Sequence, residues 1–76
     1  MEQYLNKSGH SGIESYENGS DYIIVTFRDG IIKNYLYTYD ATGIENVEKM
    51  KVLAEDGFGL NSFINKCIKN RYARKW

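Results

Sequence analysis

The fold is decided by the stretch Tyr22–Tyr37, which reads YIIVTFRDGIIKNYLY. Its first half is rich in β-branched and aromatic residues, which favour strands. The pair Asp29-Gly30 that follows is the preferred sequence of a two-residue type I′ turn. Ile31–Tyr37 is therefore predicted to return as an antiparallel partner strand, and the two strands together predict a β-hairpin at the centre of the protein.

A two-residue turn at this position also predicts the pairing of the strands. It puts Phe27 opposite Ile32 and Ile23 opposite Leu36, and alternation of side chains then sorts the hairpin into two faces. The aliphatic face, expected to lie under the helices, comprises Ile23, Val25, Phe27, Ile32 and Leu36. The opposite face, expected to be partly exposed, comprises Tyr22, Ile24, Thr26, Lys33, Tyr35 and Tyr37. Its three tyrosines, Tyr22, Tyr35 and Tyr37, are candidate contacts for a partner protein or for self-association.

The segments before the hairpin are predicted to add one strand. Residues 1–12 are polar and contain glycines, so we expect a flexible N-terminal leader there. A strand is expected over Ile13–Tyr16, and Asn18-Gly19-Ser20 has the composition of a turn. The sheet is therefore predicted to have three antiparallel strands.

The segments after the hairpin are predicted to form two helices. Thr42-Gly43-Ile44-Glu45 has the pattern of a capping box, and Gly57 is the expected helix stop. Asn61 is expected to cap a second helix. The apolar arc of that helix comprises Phe63, Ile64, Cys67 and Ile68. The predicted fold is α+β, in the order β-β-β-α-α, with both helices on one face of the sheet and a single domain over residues 13–76.

The composition of the chain favours a reducing cellular compartment. The single cysteine, Cys67, rules out an internal disulfide, which small secreted domains usually need. The first ten residues lack the apolar run of a signal peptide, and the longest apolar run, Tyr22–Phe27, is too short to span a bilayer. We therefore expect a cytoplasmic protein without membrane contact, as a monomer or a weak homodimer.

The sequence contains no recognisable catalytic set. His10 is the only histidine and falls in the predicted leader, and one histidine with a distant cysteine does not make a metal site. Cys67 is expected to be a small buried residue. We therefore expect a non-enzymatic module that needs no metal and no cofactor.

Charge is unevenly distributed along the chain. Residues 61–76 contain no acid, and their bases are Lys66, Lys69, Arg71, Arg74 and Lys75. Tyr72 and Trp76 accompany these bases, as is typical of surfaces that bind RNA or other anionic partners. Basic residues in the last turn of a helix also complement the helix dipole, so a solvated helix end explains the same pattern. Both interpretations stay open at this point.

Three short motifs resemble the KTSC family. They are Ile23-x-Val25-x-Phe27-x-x-Gly30, then Tyr35-x-Tyr37, then Gly57-x-x-Leu60-Asn61-x-x-Ile64. That family is named for a domain at the C-terminus of some lysyl-tRNA synthetases, and it also occurs as short free-standing bacterial and phage proteins. The resemblance covers residues 13–72, with a slightly longer hairpin and with Asp40-Ala41-Thr42 where family members commonly have a proline.

The resemblance implies a small accessory module without known catalytic residues. Because the family is associated with a tRNA-handling enzyme, it favours RNA as the anionic partner, by analogy alone.

Overall fold

The computed structural model describes residues 2–7, 9 and 11–76, and it contains one antiparallel sheet and several helical segments. Within that part of the chain the strands are β1 Glu2–Gln3, β2 Ile13–Asn18, β3 Tyr22–Phe27, β4 Asn34–Thr38 and β5 Arg74–Lys75. They form one sheet in the order β1-β2-β3-β4-β5. The predicted α+β class is confirmed, but the sheet has five strands rather than three. His10 lies outside the described residues.

The two strands that the sequence did not predict are the short edges of the sheet. β1 comes from the segment predicted as a leader, and it pairs Glu2 with Tyr16. The buried Tyr4 follows it, and the Tyr4 hydroxyl accepts a hydrogen bond of 3.3 Å from the Leu60 N–H. β5 pairs with β4 at the other edge.

The helices are α1 Tyr39–Thr42, α2 Ile44–Asp56 and α3 Leu60–Phe63, and α3 continues into a π-helical segment, Ile64–Ile68. Gly57 ends α2 in the left-handed conformation, as predicted. Among the described residues no helix is both long enough and apolar enough to cross a membrane.

The predicted capping box is wrong. α2 begins after Gly43 without a side-chain cap, and the buried Thr42 hydroxyl instead donates a 2.5 Å hydrogen bond to the carbonyl of Arg71. Asn61 does not cap either, because it lies inside α3, which begins at Leu60 after Gly59. Thr38 is the residue that caps, since its side chain accepts a hydrogen bond from the Ala41 N–H at the start of α1.

The predicted hairpin register is wrong by one residue. Ile23 lies opposite Tyr37, and Val25 lies opposite Tyr35. The connection is not a two-residue turn, because the Phe27 N–H donates to the Lys33 carbonyl at 2.8 Å and leaves residues 28–32 as the loop.

The slip reverses the two faces of β4, because side chains alternate along a strand. Tyr35 and Tyr37 join Ile23 and Val25 on the side of the helices, and Leu36 moves to the other side. A tyrosine ring buries more area than a leucine side chain. We attribute the register to this gain in the core, which outweighs the local preference of Asp29-Gly30 for a tight turn.

The core lies between one face of the sheet and the helices. Its strand residues are Ile13, Tyr16, Ile23, Val25 and Tyr37, and its helical residues are Val47, Met50, Ala54, Leu60, Ile64 and Ile68.

The prediction that Cys67 is buried is wrong. In the π-helical segment the Lys69 N–H donates to the Ile64 carbonyl at 2.6 Å, five residues back rather than four. This wider turn keeps Ile64 and Ile68 in the core while Cys67 is exposed. The predicted apolar arc assumed the spacing of a regular α-helix.

Candidate anion-binding cleft

An open cleft of about 320 Å³ lies where the hairpin loop, the π-helical segment and β5 meet. We call it the tyrosine cleft. Its lining includes the tyrosines Tyr35, Tyr37 and Tyr72 and the lysines Lys69 and Lys75. Asp29, Asn65 and Asn70 add polar groups, and Phe27, Ile32 and Ile64 add apolar ones.

Edge-to-face ring contacts hold the aromatic wall of the cleft together. The ring centroids of Phe27 and Tyr35 are 5.3 Å apart at an interplanar angle of 86°. Those of Tyr35 and Tyr72 are also 5.3 Å apart, at 76°. This geometry is favourable because the positive edge of one ring meets the negative face of another. Tyr35 therefore connects Tyr72, which follows the helices, to the sheet.

Lys75 lies against this aromatic wall. It is the cross-strand neighbour of Tyr35, so both side chains point to the same side of the sheet. Its ammonium nitrogen is 5.3 Å from the centroid of the Tyr72 ring, which is a cation–π distance. The hydrogen bond to the Tyr72 hydroxyl raises the pKa of Lys75, and the nearby Tyr72 and Tyr35 phenols act in the same direction. Lys75 therefore supplies a positive charge beside the aromatic wall of the cleft.

Tyr37 forms the floor of the cleft. Its side chain is only 1 % exposed. Burial raises the pKa of Tyr37 well above the ordinary value for tyrosine, and the Tyr35 and Tyr72 phenols add to the effect. Tyr37 stays a neutral phenol at physiological pH. The cleft thus combines phenol side chains, aromatic surface and two lysine ammonium groups, an arrangement suited to an anion with a flat apolar part.

The structure divides the basic residues predicted as one site. Lys69, Tyr72 and Lys75 come together in the cleft. Arg74 pairs with Leu36 on the other side of the sheet, where its guanidinium carbon is 5.5 Å from the centroid of the Trp76 ring. The expectation that these residues extend a C-terminal helix is wrong, because Lys69 has φ 54° and ψ −115° and ends the helical segment.

Lys66 and Arg71 are exposed and do not line the cleft. Lys66 belongs to the π-helical segment, and Arg71 precedes Tyr72. They therefore contribute positive charge near the cleft without contact to its interior.

The structure also divides the predicted tyrosine face. Tyr35 and Tyr37 line the cleft, so the prediction of an outward tyrosine surface is wrong for both because of the shifted register. Tyr22 is on the opposite side of the sheet, where its hydroxyl donates a 3.0 Å hydrogen bond to Glu17.

Three polar lining residues were not predicted from the sequence. Asp29 was assigned only to the turn, and Asn65 and Asn70 carry no pattern that distinguishes them from solvated residues. In the part of the chain that the structure describes, no group of three or more His, Cys, Asp or Glu side chains could hold a metal ion.

Comparison of the chain with family models, with curated proteins and with solved structures finds no match. The resemblance to the KTSC family therefore stays a prediction.

Proposed function

We propose that this protein is a non-enzymatic cytoplasmic module that binds an anionic partner in the tyrosine cleft. RNA is the first candidate for that partner. The observation that carries the proposal is that Lys69 and Lys75 converge with Tyr72 on one cleft. Charge for a phosphate and aromatic surface for a base are the two requirements of sequence-tolerant binding to single strands.

The lysines of the cleft are available to a ligand. Among the described residues the ion pairs are Lys7–Asp56, at 3.8 Å, and Lys51–Glu48, at 3.0 Å. Neither pair contains a lysine or an arginine of residues 61–76. Lys69 and Lys75 are both exposed, and the one carboxylate among the lining residues is that of Asp29. A phosphate would therefore meet an excess of positive charge.

The size of the cleft suits one nucleotide rather than a duplex. Its volume of about 320 Å³ is at the lower end of the range for small-molecule sites. In the proposed complex a base packs against Tyr72, and the Lys75 ammonium turns from the Tyr72 ring to the adjacent phosphate. An unpaired strand offers such a base, whereas the bases of a duplex are stacked on each other.

Two further observations support the proposal. The single cysteine, Cys67, is a free thiol, as is usual for proteins of a reducing compartment but not for disulfide-stabilised secreted domains. The resemblance to a domain attached to a tRNA-handling enzyme supports RNA by analogy.

Titration of a fluorescein-labelled single-stranded oligouridylate at several salt concentrations tests the role of the lysines. We expect Lys69→Gln and Lys75→Gln each to lower the slope of log affinity against log salt by about 0.7, the value for one phosphate contact on a single strand. Lys66→Gln is the matched control because it removes the same charge outside the cleft. If Lys66→Gln and Lys69→Gln lower this slope equally, the attraction is diffuse and the proposal that the strand binds in the cleft is wrong.

A second titration tests the role of the aromatic wall. We expect an abasic oligonucleotide with the same number of phosphates to bind more weakly than the oligouridylate. Tyr72→Leu should reduce the difference, whereas Tyr72→Phe should preserve it because the ring remains. If the abasic strand binds equally well, base packing on Tyr72 is wrong.

The alternative of a protein partner on a surface of Tyr22, Tyr35 and Tyr37 has less support. Two of those tyrosines line the cleft on the opposite side of the sheet from Tyr22.

A further inference from the structure

The sheet has a second face, turned away from the helices, which we call the outer face. One row of cross-strand neighbours crosses four strands there. Glu17 lies opposite Ile24, Ile24 lies opposite Leu36, and Leu36 lies opposite Arg74. The core residues Ile23, Val25 and Tyr37 point the other way, so this row is on the outer face.

The row has an apolar centre and opposite charges at its two ends. Neighbouring strands are about 4.8 Å apart, so Glu17 and Arg74 stand about 14 Å apart with Ile24 and Leu36 between them. Trp76, which is 48 % exposed, adds apolar surface beside Arg74. Like charges do not meet anywhere along the row.

Both terminal charges are held in place by neighbours. The Glu17 carboxylate accepts the 3.0 Å hydrogen bond from the Tyr22 hydroxyl. The Arg74 guanidinium lies over the Trp76 ring at 5.5 Å. Neither charge belongs to an ion pair in the part of the chain that the structure describes. Because both are already oriented, a partner that meets them loses little side-chain entropy on binding.

We infer that the outer face binds the outer face of a second copy of this chain, in a symmetric dimer. A two-fold axis parallel to the strands, midway between Ile24 and Leu36, exchanges the two ends of the row. It puts each Glu17 over Arg74 of the second copy and each Ile24 over Leu36 of the second copy. The row is thus complementary to itself in charge and in apolar character, as an isologous interface requires.

A second copy fits this face better than an anionic polymer does. A phosphate chain along the row would meet Arg74 at one end but the Glu17 carboxylate at the other. In the symmetric dimer, by contrast, each Glu17 and each Arg74 faces a side chain of opposite charge on the second copy.

The size of the face sets the strength of the dimer. β2, β3 and β4 have five or six residues each and β5 has two; with strands about 4.8 Å apart they cover roughly 300 Å² on each copy. This area is well below the roughly 800 Å² per partner of a standard stable interface. The dimer is therefore weak and forms in a concentration-dependent way, and it leaves the tyrosine cleft on the other side of the sheet open.

Sedimentation velocity with charge-reversal variants tests the dimer. Between about 10 μM and about 1 mM, the range in which a small interface is populated, we expect the wild-type protein to shift from monomer to dimer. Glu17→Lys and Arg74→Glu should each weaken the dimer at least about tenfold, because like charges then face each other at both ends. An equimolar mixture of the two variants should regain the dimer, since every facing pair is again of opposite charge.

Matched variants separate this geometry from general attraction between oppositely charged proteins. Glu45→Lys and Lys49→Glu produce the same two net charges on the exposed surface of α2. Their mixture should dimerise no more than the wild-type protein does. The inference is overturned if the wild-type protein stays monomeric, if either outer-face variant dimerises as the wild-type protein does, or if the two mixtures associate equally. Oligouridylate titration of the same variants shows whether the cleft works independently.

Discussion

Ile23 lies directly opposite Tyr37, and both side chains are buried under the helices. A two-residue turn at Asp29-Gly30 would have put Leu36 at that position. The one-residue difference determines both candidate surfaces. It turns Tyr35 into the cleft beside Lys75, and it turns Leu36 to the outer face between Ile24 and Arg74.

The exposure of Cys67 gives the first prediction. We expect its thiol to react with a disulfide reagent in the native protein within about tenfold of the rate in the urea-unfolded chain, because access controls such reactions. Cys67→Ser, the control, should fold with unchanged stability and show no reaction. Protection of about a hundredfold or more would mean that the thiol reacts only through unfolding, and would contradict the π-helical segment.

The hydrogen bond from Thr42 to the Arg71 carbonyl gives the second prediction. Thr42→Val keeps the shape of a fully buried side chain but leaves that carbonyl without its donor. We expect the free energy of unfolding to fall by about 0.5–1.5 kcal/mol, the net contribution of a typical intramolecular hydrogen bond. Urea denaturation followed by circular dichroism measures the loss.

Hydrogen exchange separates this effect from simple loss of packing. The Ala73 N–H donates to the Leu36 carbonyl at 2.7 Å, just beyond the segment that Thr42 holds. We expect Thr42→Val to speed amide exchange at Ala73 by more than the variant's loss of global stability accounts for. Thr42→Ser keeps the hydroxyl and should not show this additional acceleration. Equal acceleration in both variants would show that the hydrogen bond does not hold the C-terminal segment.

Local sequence signals predicted the parts of the fold that depend on local physics. The β-branched run Tyr22–Phe27 is β3 with the expected core residues Ile23 and Val25. Gly57 ends α2 because a left-handed residue there costs glycine little.

Parts of the fold that depend on distant contacts were not predictable in this way. β5 has two residues and exists through its pairing with β4. The burial of Tyr4 depends on Leu60, which is far away in sequence. Exposure of Cys67 depends on a π-helical turn, which hydrophobic periodicity does not detect.

The candidate site shows the same limit. Tyr35, Tyr37, Lys69, Tyr72 and Lys75 were all named from the sequence, but they were assigned to two separate surfaces. Their convergence requires the register of β4 and the turn away from the helix at Lys69, and neither has a local sequence signal.

The raised pKa of Tyr37 gives the third prediction. Burial is the main cause, so the folded state favours the neutral phenol. The resulting stability is fully present below about pH 10, the ordinary pKa of tyrosine, and is lost as the pH rises above it. We expect the free energy of unfolding to fall above about pH 10, and to fall less steeply in Tyr37→Phe.

Absorbance of tyrosinate checks the assignment. The protein has seven tyrosines, and burial should keep Tyr37 protonated in the folded state well above the ordinary pKa of tyrosine. The absorbance gained up to about pH 11 should therefore be the same in Tyr37→Phe and in the wild-type protein. Loss of one tyrosine's share of that signal would place Tyr37 in contact with water.

The carboxylate of Asp29 at the cleft gives the last prediction. It opposes a bound phosphate, and exposed charges interact by about 0.2–1 kcal/mol, so Asp29→Asn should tighten oligouridylate binding by up to about fivefold at low salt. Asp56→Asn is the matched control because Asp56 is beside Lys7 and does not line the cleft. The gain from Asp29→Asn should shrink as salt is added, since screening weakens the repulsion. Equal tightening by both variants would mean that only net charge matters, and the cleft would then not be where the phosphate binds.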